Sequence, residues 1–147
     1  MSAYSTSSVF PDLNVWIALS FTRHSHHIQA MQWLRSLDEV RLIFCRYTQL
    51  GFLRLLSTEA VMGNEVLTQV EAWKEYDGWL ATGFAIYQDE PDRLEEVFRS
   101  ISKQPRSSPK EWADSYLAAF SVAAGVRLVT FDRALKARAG DAILLRP

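Results

Sequence analysis

Apolar residues in this chain occur in two patterns, short continuous runs and longer stretches with helical spacing. Between the continuous runs, apolar side chains return every three or four residues, as at Ala30, Trp33 and Leu37, which indicates amphipathic helices. Alternating strands and helices predict an α/β fold, a mostly parallel central sheet flanked by helices on both faces. The continuous runs, typical of buried strands, end at Pro11 and recur at 40–45, 83–88, 126–132 and 142–146.

Sequence signals also locate further helices. Thr48 is a candidate N-cap for the helix after the second strand. A helix over 64–76 has an apolar face made of Val66, Val70 and Trp73. Because aromatic residues at helical spacing usually pack inside a protein, we expect tryptophans such as Trp33, Trp73 and Trp112 to be core residues rather than platforms for nucleic-acid bases.

Length and composition restrict the number of domains and the possible partners only moderately. The chain has 147 residues and no internal repeat, and its linker-like segment 102–109 is too short to separate two units. We therefore expect one domain over 1–147. The 16 Lys and Arg residues against 17 Asp and Glu give a net charge of -1, so the overall charge does not indicate a nucleic-acid partner. The bases nevertheless cluster, at 103–110 and 133–138.

The compartment can be predicted from the cysteine content and the apolar runs. Cys45, the single cysteine, lies in an apolar strand and suggests a buried thiol rather than a disulfide framework. The first eight residues lack the basic and apolar regions of a secretory signal, and no apolar run approaches the roughly 20 residues of a membrane span. We expect a cytoplasmic protein without a membrane partner.

Three aspartates are predicted to meet at one edge of the sheet. Asp12 follows the first strand, and Asp132 closes the run 126–132. If these strands are neighbours, both carboxylates lie at the carboxyl edge of the sheet, where parallel sheets bind ligands. Asp114 lies in the first turns of a helix that opens on the same side, with Ser108 and Glu111 at capping-box spacing.

Each aspartate also has a local explanation, as a helix cap or as an acid near a helix N-terminus. Three converging carboxylates would repel one another, however, and a divalent cation would relieve that repulsion. Oxygen ligands favour Mg²⁺ or Mn²⁺ over zinc, because no Cys/His set accompanies the acids. Three histidines do cluster at a loop-to-helix junction, where we expect a solvent-facing helix start: His24, His26 and His27.

Four segments, in order and spacing, carry a family resemblance over nearly the whole chain. They are FPDLNVWIAL, HSHHIQAMQWL, YTQLGFLRLLS and EWADSYLAAFSVAAGVRLVTFDRAL. Together they resemble the PIN-domain toxins of the VapC type, from bacterial toxin–antitoxin modules. The resemblance implies a metal-dependent endoribonuclease whose catalytic and metal-binding residues are Asp12, Asp114 and Asp132. It also implies a cofactor, Mg²⁺ or Mn²⁺, an RNA substrate, a small VapB-like antitoxin and a homodimer.

One position departs from the family pattern. Many PIN domains carry a glutamate in the helix after the second strand, where this chain has Gly51. Either Gln49 or Arg54 takes a different role there, or three acids hold the metal.

Two further polar residues lie beside the aspartates. Asn14 either supports Asp12 through hydrogen bonds or caps the first helix. Thr130 is either a supporting hydroxyl or a β-branched strand former, and we favour the second.

Basic residues near the acids are candidates for contacts with RNA phosphates, and those singled out are Arg106, Lys110, Arg133 and Lys136. Two other functions remain open. The first is a catalytically weak or inactive module that acts by binding a protein. The second is a phosphatase with an aspartyl nucleophile, which is disfavoured because Asn14 stands where a general acid is needed.

Overall fold

The structure, a computed structural model, describes residues 7–146, and its centre is a five-stranded sheet in which every neighbouring pair is parallel. The strand order is β3-β2-β1-β4-β5. The predicted α/β fold, with a parallel sheet between two helical layers, is confirmed. The strands are β1 Ser7–Pro11, β2 Val40–Phe44, β3 Ala85–Tyr87, β4 Arg127–Thr130 and β5 Ile143–Leu144.

Eight α-helices and a 3₁₀ turn at Gly63–Glu65 connect the strands within the described residues. The helices are α1 Leu13–Ser20, α2 His27–Arg35, α3 Arg46–Leu56, α4 Glu59–Met62, α5 Gln69–Ala81, α6 Leu94–Ser102, α7 Glu111–Ala124 and α8 Arg133–Ala139. No helix in residues 7–146 is long and apolar enough to cross a bilayer. We predicted that the first eight residues are not a secretory signal, and the first six of them lie outside the described residues.

The sheet is buried on both faces because successive strand residues point to opposite sides. On β1, Val9 belongs to the core under α1, α3 and α5, whereas Phe10 belongs to the core under α6, α7 and α8. The first core centres on Trp16, whose ring stacks on Phe44 at 3.7 Å between centroids. In the second, Phe10 stacks on Phe120 at 4.5 Å. Continuous apolar strands are what a two-faced core requires.

The chain direction across the sheet reverses at β1. From β1 the chain moves outward to β2 and β3, and it returns to place β4 on the other side of β1. β1 and β4 pair directly, with Pro11 opposite Val129. A crevice therefore opens between the carboxyl ends of these two strands, at the position where doubly wound sheets bind ligands.

Several predicted element boundaries were wrong. α3 begins at Arg46, with Cys45 as its N-cap residue, and Thr48 lies inside the first turn, where its hydroxyl accepts a hydrogen bond from the Cys45 N–H. α5 begins at Gln69, because Thr68 and Glu71 form a capping box there. β4 ends at Thr130, two residues before Asp132.

The expectation that the three tryptophans are core residues was also wrong for two of them. Trp33 packs against the core as a partly buried residue, but Trp73 is 47% exposed and Trp112 is 59% exposed. α5 instead buries Ala72 and Tyr76, so helical spacing identified the helix but not the face that meets the sheet.

α3 and α1 approach closely at Gly51. A Cβ atom at this position would lie 2.6 Å from both δ-carbons of Leu13, the residue that follows Asp12. Leu13 therefore fills the space that a side chain at position 51 would need. A side chain at position 51 would therefore require the Leu13 side chain to move.

We expect Gly51→Ala to lower the free energy of unfolding by about 0–2 kcal/mol, because overpacking costs about 1–3 kcal/mol and improved helix propensity returns about 1 kcal/mol. The matched control is Gly78→Ala in α5, where a Cβ meets nothing within 4 Å and should stabilise by about 0.5–1 kcal/mol. Urea unfolding measures both variants. Equal stabilisation by both substitutions would show that Leu13 does not restrict position 51.

Candidate active site

Asp12 lies at the point where β1 becomes α1. Its N–H donates to the Val129 carbonyl at 2.9 Å, which extends the pairing of β1 with β4 by one residue. Its side chain caps α1, with Oδ1 accepting from the Val15 N–H at 3.2 Å. Pro11 ends the strand, and a following aspartate is a strong N-cap, so the local sequence fixes this carboxylate in place. It is buried, with 5% of its surface exposed.

Thr130 connects Asp12 to the end of β4. Its hydroxyl donates to Oδ2 of Asp12 and accepts from the Asp132 N–H at 2.9 Å. Thr130 is fully buried, so water does not compete with this bridge. Thr130 therefore supports the carboxylate directly, and our preference for a simple strand former was wrong.

Burial raises the pKa of Asp12 to about 6, because the charged form loses its hydration. Hydrogen bonds from Thr130 and from the Val15 and Asn14 backbone oppose this shift, whereas the negative charge of Asp132 adds to it. Asp12 is thus a carboxylate whose charge is only partly balanced by its surroundings.

Asp132 and Asp114 reach the same edge from two helices. Asp132 is exposed and caps α8, where its Oδ1 accepts from the Ala134 N–H at 2.8 Å. Asp114 lies half-buried in the first turn of α7. Burial raises the pKa of Asp114, and the charge of Asp132 raises it further. Asp132 therefore interacts electrostatically with both other aspartates, and the convergence of all three on one metal ion stays a prediction.

The three aspartates suit a hard divalent cation in donor chemistry and in charge, because oxygen ligands are what Mg²⁺ and Mn²⁺ prefer. Within residues 7–146, however, no three His, Cys, Asp or Glu side chains come close enough together to hold a metal ion directly. Mg²⁺ usually keeps several of its waters and contacts only one or two carboxylates. The residues present therefore fit an ion held partly through water.

Arg138 is a site residue that the sequence analysis missed. It extends from α8 to α7, where it donates to the Glu111 carboxylate and to the Ser115 hydroxyl, the latter at 3.1 Å. Glu111 and Ser115 lie on either side of Asp114 along α7. The positive charge of Arg138 also lowers the pKa of Asp114 against the effect of burial. The run 133–138 was recognised as basic, but the rotation of α8 decides which of its residues faces the acids.

The Glu111 carboxylate accepts hydrogen bonds from two arginines, Arg106 and Arg138. Hydrogen bonds from Ser108, Arg106 and Arg138 lower its pKa to about 2. The Arg106 guanidinium contacts both of its carboxylate oxygens at 2.7 Å. The capping box expected at Ser108 and Glu111 was wrong, because α7 begins at Glu111 with Lys110 as its N-cap residue and no side chain caps it.

Tyr47 and Tyr116 form the opposite wall of the site. Their rings lie 5.3 Å apart, and the Tyr116 hydroxyl donates to Glu90 at 2.7 Å. Burial raises the pKa of Tyr47, and the charges of Asp114 and Asp12 add to the increase, so its phenol lies near both acids. No motif singled out these tyrosines, because Tyr47 lies on α3 and Tyr116 on α7, and only the folded chain brings the two rings together.

Two other candidates have different surroundings from those expected. The Asn14 side chain is exposed, and it is the backbone of this residue that stabilises Asp12. Gln49 is buried and accepts from Arg46 at 2.6 Å, beside Tyr76 and therefore towards α5. The structure does not bring either side chain into a hydrogen bond with the carboxylates.

The three histidines are half-buried rather than solvent-facing. His27 Nδ1 contacts the Ala18 carbonyl at 2.7 Å and must therefore donate. His24 accepts from the His26 N–H at 3.0 Å, and the His26 ring packs on Phe131 at 4.8 Å. Within residues 7–146 they do not form a metal-binding group.

The candidate phosphate contacts divide into two kinds. Arg106 is paired with Glu111, and Lys136 donates to the Gly140 carbonyl at the end of α8. Lys110 and Arg133 are exposed, and neither forms an ion pair with any residue in 7–146. Lys110 precedes α7, which carries Asp114 in its first turn. Arg133 is the first residue of α8, which Asp132 caps.

The raised pKa of Asp12 predicts a pH dependence of stability. Between pH 3.8 and about 6 the folded chain retains a proton that the unfolded chain has lost, so the free energy of unfolding falls as the pH rises. This contribution amounts to about 3 kcal/mol and should be absent from Asp12→Asn. Urea unfolding in EDTA across this range measures it, with Asp77→Asn as the control. Parallel curves for wild type and Asp12→Asn would contradict the raised pKa.

Comparison with known proteins identifies the family of this chain. Residues 9–141 match the PIN domain family. Ribonuclease VapC41 of Mycobacterium tuberculosis is 39% identical over 128 residues, which cover 84% of this chain and 88% of that protein. Ribonuclease VapC39 of the same organism is 27% identical over 124 residues, covering 84% and 88%.

Solved structures share the fold. The crystal structure of Mycobacterium tuberculosis VapC20, a toxin that cleaves the sarcin-ricin loop, has a TM-score of 0.66 at 17% identity and covers 95% of this chain and 99% of that chain. FitAcB from Neisseria gonorrhoeae has a TM-score of 0.59 at 20% identity, with 92% and 96% covered. The chain therefore belongs to the PIN-domain family, in the VapC group.

Proposed function

We propose that this chain is a metal-dependent endoribonuclease that hydrolyses RNA phosphodiester bonds as the toxic component of a type II toxin–antitoxin system. The observation that carries the proposal is the position of Asp12 and Asp132 just after the paired strands β1 and β4, where Asp132 also interacts electrostatically with Asp114. The 39% identity to a protein named as a ribonuclease supports RNA as the substrate.

Each carboxylate has a distinct role in this proposal. Asp12 and Asp132 hold the cofactor, Mg²⁺ or Mn²⁺, from the two central strands, and Asp114 holds it from α7. A divalent ion at this place supplies Lewis-acid chemistry, which lowers the pKa of water and offsets charge on the phosphate. Thr130 keeps one oxygen of Asp12 in a fixed orientation, as supporting hydrogen bonds do at metal sites generally.

Two cations are available to bind the phosphates that flank the scissile bond. Lys110 and Arg133 are exposed, unpaired within the described residues and next to the helices that bear the acids. Arg106 and Lys136 would first have to leave Glu111 and Gly140. We therefore assign the first contacts with RNA to Lys110 and Arg133.

The partners in this proposal are a small VapB-like antitoxin and a second copy of the chain. The VapC names of the sequence relatives support the antitoxin. An apolar groove supports a protein contact, because contiguous exposed apolar surface marks interaction sites. Leu50 and Trp73, exposed at 62% and 47%, line one such groove between α3 and α5.

The central test is cleavage of purified structured RNAs with and without Mg²⁺ or Mn²⁺. Asp114→Asn removes a charge while keeping the shape of the side chain, so it should abolish metal-dependent cleavage and leave the fold as stable or slightly more stable. Asp77→Asn, the same change on the exposed surface of α5, should cleave at the wild-type rate.

Metal binding gives a readout that does not depend on cleavage. Mn²⁺ should raise the melting temperature of the wild type and of Asp77→Asn, but not that of Asp12→Asn. Wild-type cleavage by folded Asp114→Asn would remove this residue from the site. Equal stabilisation of all variants, with no cleavage, would favour a non-catalytic module that acts by protein binding.

A growth assay tests the biological role. Expression of the chain alone should arrest bacterial growth, and co-expression with the small open reading frame beside its gene should restore it, since an antitoxin binds and blocks its toxin. Asp114→Asn is the control and should be harmless at matched expression. Unaffected growth at verified wild-type expression would count against a toxin while leaving ribonuclease activity possible.

A further inference from the structure

An open cavity of about 690 Å³ lies between α6, the connection that follows it and the start of α7. Its volume is in the range of sites that bind small organic ligands. Two aromatic rings, Phe98 and Trp112, contribute to its lining, together with three basic side chains, Arg99, Lys103 and Arg106. Of the site residues described above, Arg106, Glu111 and Ser115 reach this cavity, whereas the three aspartates do not line it.

Trp112 is the most distinctive residue of the lining. It is 59% exposed, although burying an indole ring would remove a large apolar area from water. It meets Phe98 edge to face, with 6.1 Å between centroids and 69° between planes. Phe98 in turn packs against Tyr116 at 5.9 Å, so the indole rests on an aromatic base that fixes its orientation.

The surroundings of Trp112 are positively charged in a chain whose net charge is -1. Residues 97–110 contain four basic residues and no acidic one. Glu95 holds the guanidinium of Arg99 at 2.9 Å, and Glu111 holds that of Arg106 at 2.7 Å. Lys103 is exposed and forms no ion pair within the described residues. Because Glu95 and Glu111, which also line the cavity, balance the two guanidinium groups, Lys103 is the lining residue whose positive charge is available to a phosphate.

The cavity also borders the acidic site. Glu111 and Ser115 belong to its lining, and along α7 they lie three residues before and one residue after Asp114. Glu111 and Asp114 are close enough for the charge of Glu111 to raise the pKa of Asp114. A polymer held at Asp114 would therefore have its next units within reach of the cavity.

We propose that this cavity binds an unpaired nucleotide of the RNA substrate, with its base stacked on Trp112 and its phosphate near Lys103. An aromatic face beside cations is the general arrangement by which proteins bind single-stranded nucleic acid. The hydroxyl groups of Ser107 and Ser108 and the Gln104 amide line the same cavity and offer hydrogen bonds to a base edge. This inference rests on the proposed function and assigns a substrate-binding role to a surface outside the carboxylates.

The test measures the binding of a short fluorescein-labelled single-stranded RNA by anisotropy, in EDTA, with the integrity of the RNA checked on a gel. Trp112→Ala should weaken binding by about 10-fold or more, the loss expected for one stacked base. Trp112→Tyr should retain most of the affinity. Trp73→Ala removes an equally exposed indole from another groove and is the matched control.

A second arm removes one base of the RNA at each position in turn. For the wild type, one abasic position should weaken binding about as much as Trp112→Ala does, and the same RNA should cause no further loss in Trp112→Ala. In Mn²⁺, Trp112→Ala should raise KM more than it lowers kcat. Its melting temperature and Mn²⁺ response should match those of the wild type, because the indole is exposed and lies outside the acids.

Three results would overturn the proposal. If the wild type binds RNA and Trp112→Ala binds it equally well, the cavity is not a nucleotide site, although the ribonuclease proposal stands. If Trp112→Ala instead loses self-association or antitoxin binding and keeps RNA binding, the cavity is a protein-docking surface. If the wild type neither binds nor cleaves any RNA, the proposed function fails together with this inference.

Discussion

The hydrogen bond from Thr130 to Asp12 connects the core of the sheet to its chemistry. It forms because β1 and β4 are direct neighbours, with Pro11 opposite Val129, so the residues after this pair lie side by side. The bond stabilises the charged form of a carboxylate that burial otherwise destabilises. Since Thr130 also accepts from the Asp132 backbone, one hydroxyl positions two of the three acids. A shift in the β1–β4 register would separate all of them.

The negative charges of the aspartates are stabilised by two helix N-termini and by one cation, Arg138. Asp12 and Asp132 each cap a helix, so backbone N–H groups supply part of the stabilisation that their charges need. Asp114 has no such cap, and Arg138 provides the nearest positive charge. By also bonding Glu111 and Ser115, Arg138 fixes the spacing of α7 and α8 on which the distance between Asp114 and Asp132 depends.

The sequence was sufficient to predict the fold class and the family. It also placed Asp12 and Asp132 at one edge of the sheet, because residues that follow neighbouring parallel strands share an edge whatever the details of packing. It was insufficient for Thr130, whose role depends on which strand lies beside β1. It was also insufficient for Arg138 and Trp112. The helical spacing around them was visible in the sequence. The face that a helix exposes depends on its rotation about its axis, however, and contacts between residues distant in sequence set that rotation.

The contact between Leu13 and Gly51 gives a packing reason why α3 carries no acid at position 51. Leu13 follows Asp12 and fills the space above Gly51, so α3 has no room there for a longer side chain. What α3 contributes to the site is Tyr47, a neutral group at ordinary pH, whose pKa is raised by burial and by Asp114 and Asp12. The carboxylates therefore come from β1, α7 and the end of β4 alone. A fourth negative charge beside Asp12 would raise its pKa still further, beyond an increase that Thr130 and the α1 backbone oppose only in part.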